Sequence, residues 1–233
     1  MKSDLREDRN VHDETAEPLE RLDVFFAFII GLPAVPSLHI PIDRPRKRDV
    51  KPARATMRRM FVAEHYVAAL RFAAERHATQ RIPGSDLPYL VHVVSVAAEV
   101  IAAGDVRESE LAVVCALLHD TIEDTTTTHA EIAQRFGAAV ADGVQALSKD
   151  ANLPKRERMA DSLRRIRLQP PAVSAVKVAD RITNLAEPPA QWTADKRREY
   201  VAEAREIADA LRGASPALDA RIEHRIRDYA RYL

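Results

Sequence analysis

The stretch Leu117-Leu118-His119-Asp120-Thr121-Ile122-Glu123-Asp124-Thr125 sets one imidazole and three carboxylates directly after an apolar run. At about 100° per residue, a helix places His119 above Glu123 and Asp120 above Asp124, and the four share an arc of roughly 140°. Desolvated carboxylates must be paired, protonated or coordinated, and a divalent cation resolves that cost. His92 and Asp180 are the partners that the rest of the chain offers. Two imidazoles (His92, His119) and two carboxylates (Asp120, Asp180) on separate helices can converge inside a bundle as a mixed nitrogen and oxygen set. Such a set suits Mn²⁺, Fe²⁺ or Zn²⁺ better than Mg²⁺ or Ca²⁺. Each residue also has a bland reading: His92 alone is a satisfied core histidine, and Asp180 alone is a partner for Lys177 or Arg181. Only their joint presence favours the cation.

Composition narrows the partners. Lys+Arg and Asp+Glu balance at 35 each, so no net field draws the chain to nucleic acid or to an anionic membrane. The single cysteine, Cys115, excludes an internal disulfide and is consistent with a cytoplasmic protein. Set just before Leu117, it reads as a buried small hydrophobe rather than a nucleophile. No run approaches the ~20 apolar residues that span a bilayer. Few aromatics and glycines, with many Ala, Arg, Glu and Leu, favour an all-α protein.

The elements that must position these residues follow from punctuation and periodicity. Residues 1–55 combine a charge-dense start, the short apolar run Val24-Phe25-Phe26-Ala27-Phe28-Ile29-Ile30 and a proline-rich stretch, the composition of a disordered tail or linker. The acidic Glu17, Glu20 and Asp23 before the apolar run argue against a secretory signal. The Arg44-Pro45-Arg46-Lys47-Arg48 run reads as a solvated linker rather than a polyphosphate site. From residue 56 the chain reads as one domain to residue 233. A first helix from Ala55 to about Arg76 carries a stripe of Phe61, Ala68 and Phe72. A loop of residues 79–88 leads to a second helix from Tyr89 to Ala103, closed by Gly104. A third spans residues 107–124, with Leu111, Val114 and Leu118 facing inward. Thr128-His129-Ala130-Glu131 has the spacing of a capping box, and Gly137 separates two further helices. Pro154, the Pro170-Pro171 pair, Thr193 and Ser215-Pro216 open the later ones, with residues 171–186 burying Val178, Ile182 and Leu185.

Three motifs now stand in order: Pro88-Tyr89-Leu90-Val91-His92, Leu118-His119-Asp120-Thr121-Ile122-Glu123-Asp124-Thr125 and Lys177-Val178-Ala179-Asp180-Arg181-Ile182-Thr183-Asn184-Leu185. Together they resemble the HD-superfamily hydrolase domain of RelA/SpoT proteins, in particular the stand-alone small alarmone hydrolases, over about Met60 to Leu211. That resemblance implies an HD-domain helical bundle that uses Mn²⁺, or another divalent transition metal, to remove the 3′-pyrophosphate from (p)ppGpp. It implies His92, His119, Asp120 and Asp180 as metal ligands and Glu123 with Asp124 as the pair handling the attacking water and its protons. It further implies Arg81 beside the guanine, Asn184 at the nucleotide near the metal, and Lys149 of the Ser148-Lys149 pair at a phosphate. Val93 stands where the long RelA/SpoT proteins have proline, and Ile82 where the family commonly has a second basic residue. The Arg81-Ile82 pair motivates an alternative substrate, another nucleotide phosphate cleaved at the same metal site. A non-catalytic nucleotide-binding module is the third reading.

Overall fold

The computed structural model describes residues 62–233. The tail expected over residues 1–55, the helix start at Ala55 and Phe61 lie outside the described residues. The described residues are all-α, with no strand beyond a single bridge between Arg81 and Pro88. The helices are α1 (Ala63–Arg76), α2 (Leu90–Ala103), α3 (Ser109–Leu118), α4 (Thr121–Asp124), α5 (His129–Phe136) and α6 (Ala138–Leu147). They continue with α7 (Lys155–Ile166), α8 (Pro171–Asn184), α9 (Ala194–Leu211) and α10 (Pro216–Tyr229), and a 3-10 turn over Ala230–Tyr232 ends the chain.

Helices α3 and α8 form the centre. Every residue from Ala112 to Leu118 is buried, and so is every residue from Ala172 to Ile182, the pattern of helices covered on all sides. They pack on each other; α2 lies against both, α1 and α6 cover α3, and α9 and α10 cover α8. A helix enclosed in this way has no solvent for its polar residues, so Lys177, Asp180 and Arg181 of α8 must be satisfied from within.

The ends follow local chemistry. Thr128, Thr193 and Ser215 each accept a hydrogen bond on the side chain from the backbone N–H three residues on, at 3.2, 3.2 and 3.1 Å. Gly104 ends α2 with φ of 71°, where a side chain would be strained.

Three expectations are corrected. The buried stripe of α1 is Ala69, Phe72 and Ala73, and Ala68 is exposed, because the i, i+3, i+4 set of a helix leaves the residue beside Ala69 on the outer flank. The third helix does not run on to residue 124: it stops at Leu118, Asp120 takes φ −100° and ψ 0°, and a separate turn, α4, follows. Thr121 Oγ1 donates to the carbonyl of Leu118 at 2.7 Å, and His119 Nδ1 to that of Ala116 at 2.8 Å, so side chains take carbonyls that a continuing helix would use. Finally, α8 ends at Asn184 rather than Ala186, although Leu185 is buried as expected.

Gly143 of α6 marks a close crossing at the centre. A Cβ there would lie 3.0 Å from both Cys115 Sγ on α3 and Val173 Cγ2 on α8. Gly143→Val is therefore expected to lower stability by ~3 kcal/mol through overpacking, and Gly143→Ala by less, since better helix propensity offsets part of its clash. Urea midpoints of the two variants check this; an unchanged midpoint for the valine variant would refute the crossing.

Candidate metal centre

His92 projects from the first turn of α2, His119 and Asp120 from the break between α3 and α4, and Asp180 from the buried α8. Their donors converge. The two Nε2 atoms are 3.3 Å apart. Asp180 Oδ1 lies 3.4 Å from His92 Nε2 and 3.7 Å from His119 Nε2, and Asp120 Oδ2 lies 3.7 and 2.8 Å from the same two atoms. His92, His119 and Asp180 are 7%, 2% and 5% exposed, whereas Asp120 is half-buried. Donors held ~2.1 Å from a common ion sit ~3.0–3.4 Å apart in octahedral or tetrahedral arrangements, and the separations here, 2.8 to 3.7 Å, bracket that range. Among the described residues, His92, His119 and Asp180 form a cluster of metal-ligating type, and the donor set fits a divalent cation.

The surroundings orient these donors. A carbonyl oxygen only accepts, so the bond to Ala116 fixes a proton on His119 Nδ1 and turns Nε2 toward the other donors. Tyr89, three residues before His92, donates its hydroxyl to Asp120 Oδ2 at 2.5 Å. Lys177 Nζ donates to Asp180 Oδ2 at 2.8 Å, leaving Oδ1 to face the imidazoles, and Asn184 Nδ2 donates to that Oδ1 at 2.5 Å. The bland reading of Asp180 as a partner of Lys177 and the metal reading thus describe its two oxygens separately.

The electrostatics are those of a cation site. Burial disfavours the charged form of His119, but the Asp120 carboxylate outweighs it and pushes the imidazole up to about 10. Burial likewise opposes ionisation of Asp180, yet Lys177 and the imidazoles hold its carboxyl well below the usual range. Asp120 is also lowered, against burial, by His119. Burial and the neighbouring Asp120 keep the Tyr89 phenol protonated. A proton and a divalent cation answer the same need between these donors.

Glu123 and Asp124 follow on α4, but the one-turn stacking expected on a continuous helix gives way to longer-range partners. Glu123 accepts from the backbone N–H of Lys149 at 2.8 Å and from its Nζ at 3.1 Å. Asp124 Oδ2 accepts from Gln80 Nε2 at 2.9 Å; burial first, then Asp120 and Glu123, raises its carboxyl despite that bond. Lys149 thus meets Glu123, and Asn184 meets Asp180. Arg81 is exposed, its backbone bridged to Pro88, and its side chain makes no hydrogen bond among the described residues. Tyr89 and Gln80 were given no role by sequence reasoning, and Lys177 entered it only as a partner for Asp180. Tyr89 and Lys177 each precede a candidate ligand by three residues, a spacing that puts them on its helical face; Gln80 carried no such signal.

Comparison with known proteins adds an independent line. The HD domain model matches residues 69–214. Guanosine-3′,5′-bis(diphosphate) 3′-pyrophosphohydrolase MESH1 of Danio rerio is 35% identical over 159 residues, covering 66% of this chain and 88% of the relative. The Homo sapiens protein of the same name is 32% identical over 168 residues, covering 70% and 93%. Among solved structures, a metazoan ortholog of SpoT described as hydrolysing ppGpp superposes with a TM-score of 0.66 at 26% identity, covering 72% of this chain and 97% of that one.

Proposed function

The chain belongs to the HD-domain family that includes the guanosine-3′,5′-bis(diphosphate) 3′-pyrophosphohydrolases, and on that premise we propose that it hydrolyses (p)ppGpp at the 3′-pyrophosphate, giving GDP or GTP and pyrophosphate. One observation carries the reading of the site: two imidazole Nε2 atoms 3.3 Å apart, each within 3.7 Å of an oxygen of both Asp120 and Asp180. His92, His119, Asp120 and Asp180 would hold the ion, which we take to be Mn²⁺. When bound, such an ion polarises phosphoryl oxygens and lowers the pKa of water. The hydrolase domain on this reading spans residues 56–233. No helix among the described residues is long and apolar enough to cross a membrane, and a cytoplasmic setting fits a soluble nucleotide substrate.

The chain's own residues supply positioning and proton transfer. In the reaction a water oxygen bonds to the phosphorus next to the ribose, the bond from that phosphorus to the 3′-oxygen breaks, and the 3′-oxygen gains a proton. Glu123, pinned through both oxygens by Lys149, orients the water and takes the proton it loses as its oxygen bonds to phosphorus. Asp124, whose raised carboxyl retains a proton more readily, delivers one to the 3′-oxygen. Lys149 stands beside Glu123 to meet a phosphate, Asn184 meets the nucleotide next to Asp180, and the unpaired Arg81 guanidinium is free for the base.

Purified protein with Mn²⁺, offered ppGpp beside a panel of other nucleotides, tests this. Release of GDP and pyrophosphate is the expected result. Cleavage of only the other nucleotides would transfer the reaction to the alternative substrate that Ile82 after Arg81 suggests. Binding without turnover would leave a nucleotide-binding module.

A further inference from the structure

His77, at the end of α1, is 3% exposed and lies outside every role assigned so far. Its Nδ1 is 2.6 Å from Gln80 Oε1. The amide oxygen only accepts, so Nδ1 carries the hydrogen and donates it. That bond settles which way the Gln80 amide faces, and its nitrogen is left to donate to Asp124 Oδ2 at 2.9 Å. Reversed, the amide would set its oxygen against the carboxylate. Backbone bonds keep the pieces in register: His77 N–H to Ala73 O at 2.9 Å, Gln80 N–H to His77 O at 3.0 Å and Tyr89 N–H to Gln80 O at 3.0 Å.

We propose that His77 is a positioning residue for the hydrolysis, acting through Gln80 to hold Asp124 in one orientation. This rests on the reading of Asp124 as the carboxylate that moves the proton. Stability alone does not account for the histidine. Its other nitrogen, Nε2, is buried without a hydrogen-bond partner among the described residues, which costs ~1–3 kcal/mol, and a phenyl ring would occupy the same space without that cost. The ring also packs on Tyr89, with centroids 5.0 Å apart, and Tyr89 holds Asp120. A second route to the site therefore exists and must be separated from the first.

His77→Phe and His77→Asn make the separation, because an asparagine amide nitrogen stands near the position of Nδ1 and restores the donor. With Mn²⁺ and ppGpp, His77→Phe is expected to lose ~10–100-fold in kcat, the range for outer positioning contacts. Its KM, bound metal per chain and melting temperature should stay at or above wild type, and His77→Asn should recover most of the rate. In NMR spectra the Gln80 side-chain amide signals should move in His77→Phe and return in His77→Asn. Wild-type kcat in the phenylalanine variant overturns the proposal, and so does a folded asparagine variant as slow as it. Loss of bound metal in His77→Phe assigns the effect to Tyr89 and Asp120 instead, again overturning it. If the wild-type protein releases no pyrophosphate from ppGpp, the substrate reading fails on its own account. The amide signals still decide whether His77 orients Gln80, and an unmoved signal overturns it.

Discussion

Asp180→Asn is expected to abolish bound metal and to lower hydrolysis by more than ~100-fold, beyond the loss typical of an outer contact. The variant keeps the shape of the side chain and removes its charge, yet it is also expected to unfold more easily. Lys177 Nζ lies 2.8 Å from Asp180 Oδ2 inside a helix buried on all sides, and without the carboxylate it becomes an uncompensated buried ammonium. Leaving one partner of such a pair costs on the order of 3–5 kcal/mol. Lost activity in the single variant therefore has two explanations, and Lys177→Met combined with Asp180→Asn distinguishes them. The double variant removes both charges and should recover most of the melting temperature. If Asp180 serves the ion, the double variant remains without metal and without activity. Metal content by elemental analysis decides the matter: recovery of a stoichiometric ion in the double variant would reduce Asp180 to a partner for Lys177. Lys177→Met alone should keep the ion, since Oδ1 still faces both imidazoles.

Much of this arrangement was legible in the sequence, and the reasons differ by residue. The helix starts at Thr128, Thr193 and Ser215 could be read because the capping hydrogen bond is local and each side chain makes it. The candidate ligands could be read because an imidazole or carboxylate at a buried helical position demands a partner, and the motif order supplied them. The break at His119 and Asp120 could not be read. Helical periodicity runs through it without glycine or proline, and the bonds of His119 to Ala116 O and Thr121 to Leu118 O show only in three dimensions. The break matters, because it lets neighbouring residues 119 and 120 present donors to one point, which adjacent positions of a regular helix do not do. The partners of Glu123 and Asp124 were equally hidden. Lys149 and Gln80 lie 26 and 44 residues away, and no periodicity within one element links such positions.

Glu123→Gln should leave the metal in place and still slow turnover by about 10²–10⁴-fold, the range that positioned acid–base groups contribute. Glu123 is not among the four converging donors, so the substitution does not touch the ion. What it changes is the contact with Lys149, which donates to one oxygen from its backbone and to the other from its ammonium. Glutamine has a single oxygen. Whichever donor it satisfies, its own amide then faces the other donor and must turn away, so the group loses both its negative charge and its fixed orientation. The pair is about one-third exposed on the lysine side, so little stability is at stake and the fold should hold. KM and kcat separate the two halves of the contact. Lys149→Met, which keeps the backbone donor and removes the ammonium, should chiefly raise KM if Lys149 meets a phosphate, whereas Glu123→Gln should act chiefly on kcat. A Glu123→Gln protein that hydrolyses ppGpp at the wild-type rate, with its ion bound, would remove Glu123 from the chemistry and leave Asp124 as the carboxylate serving the water.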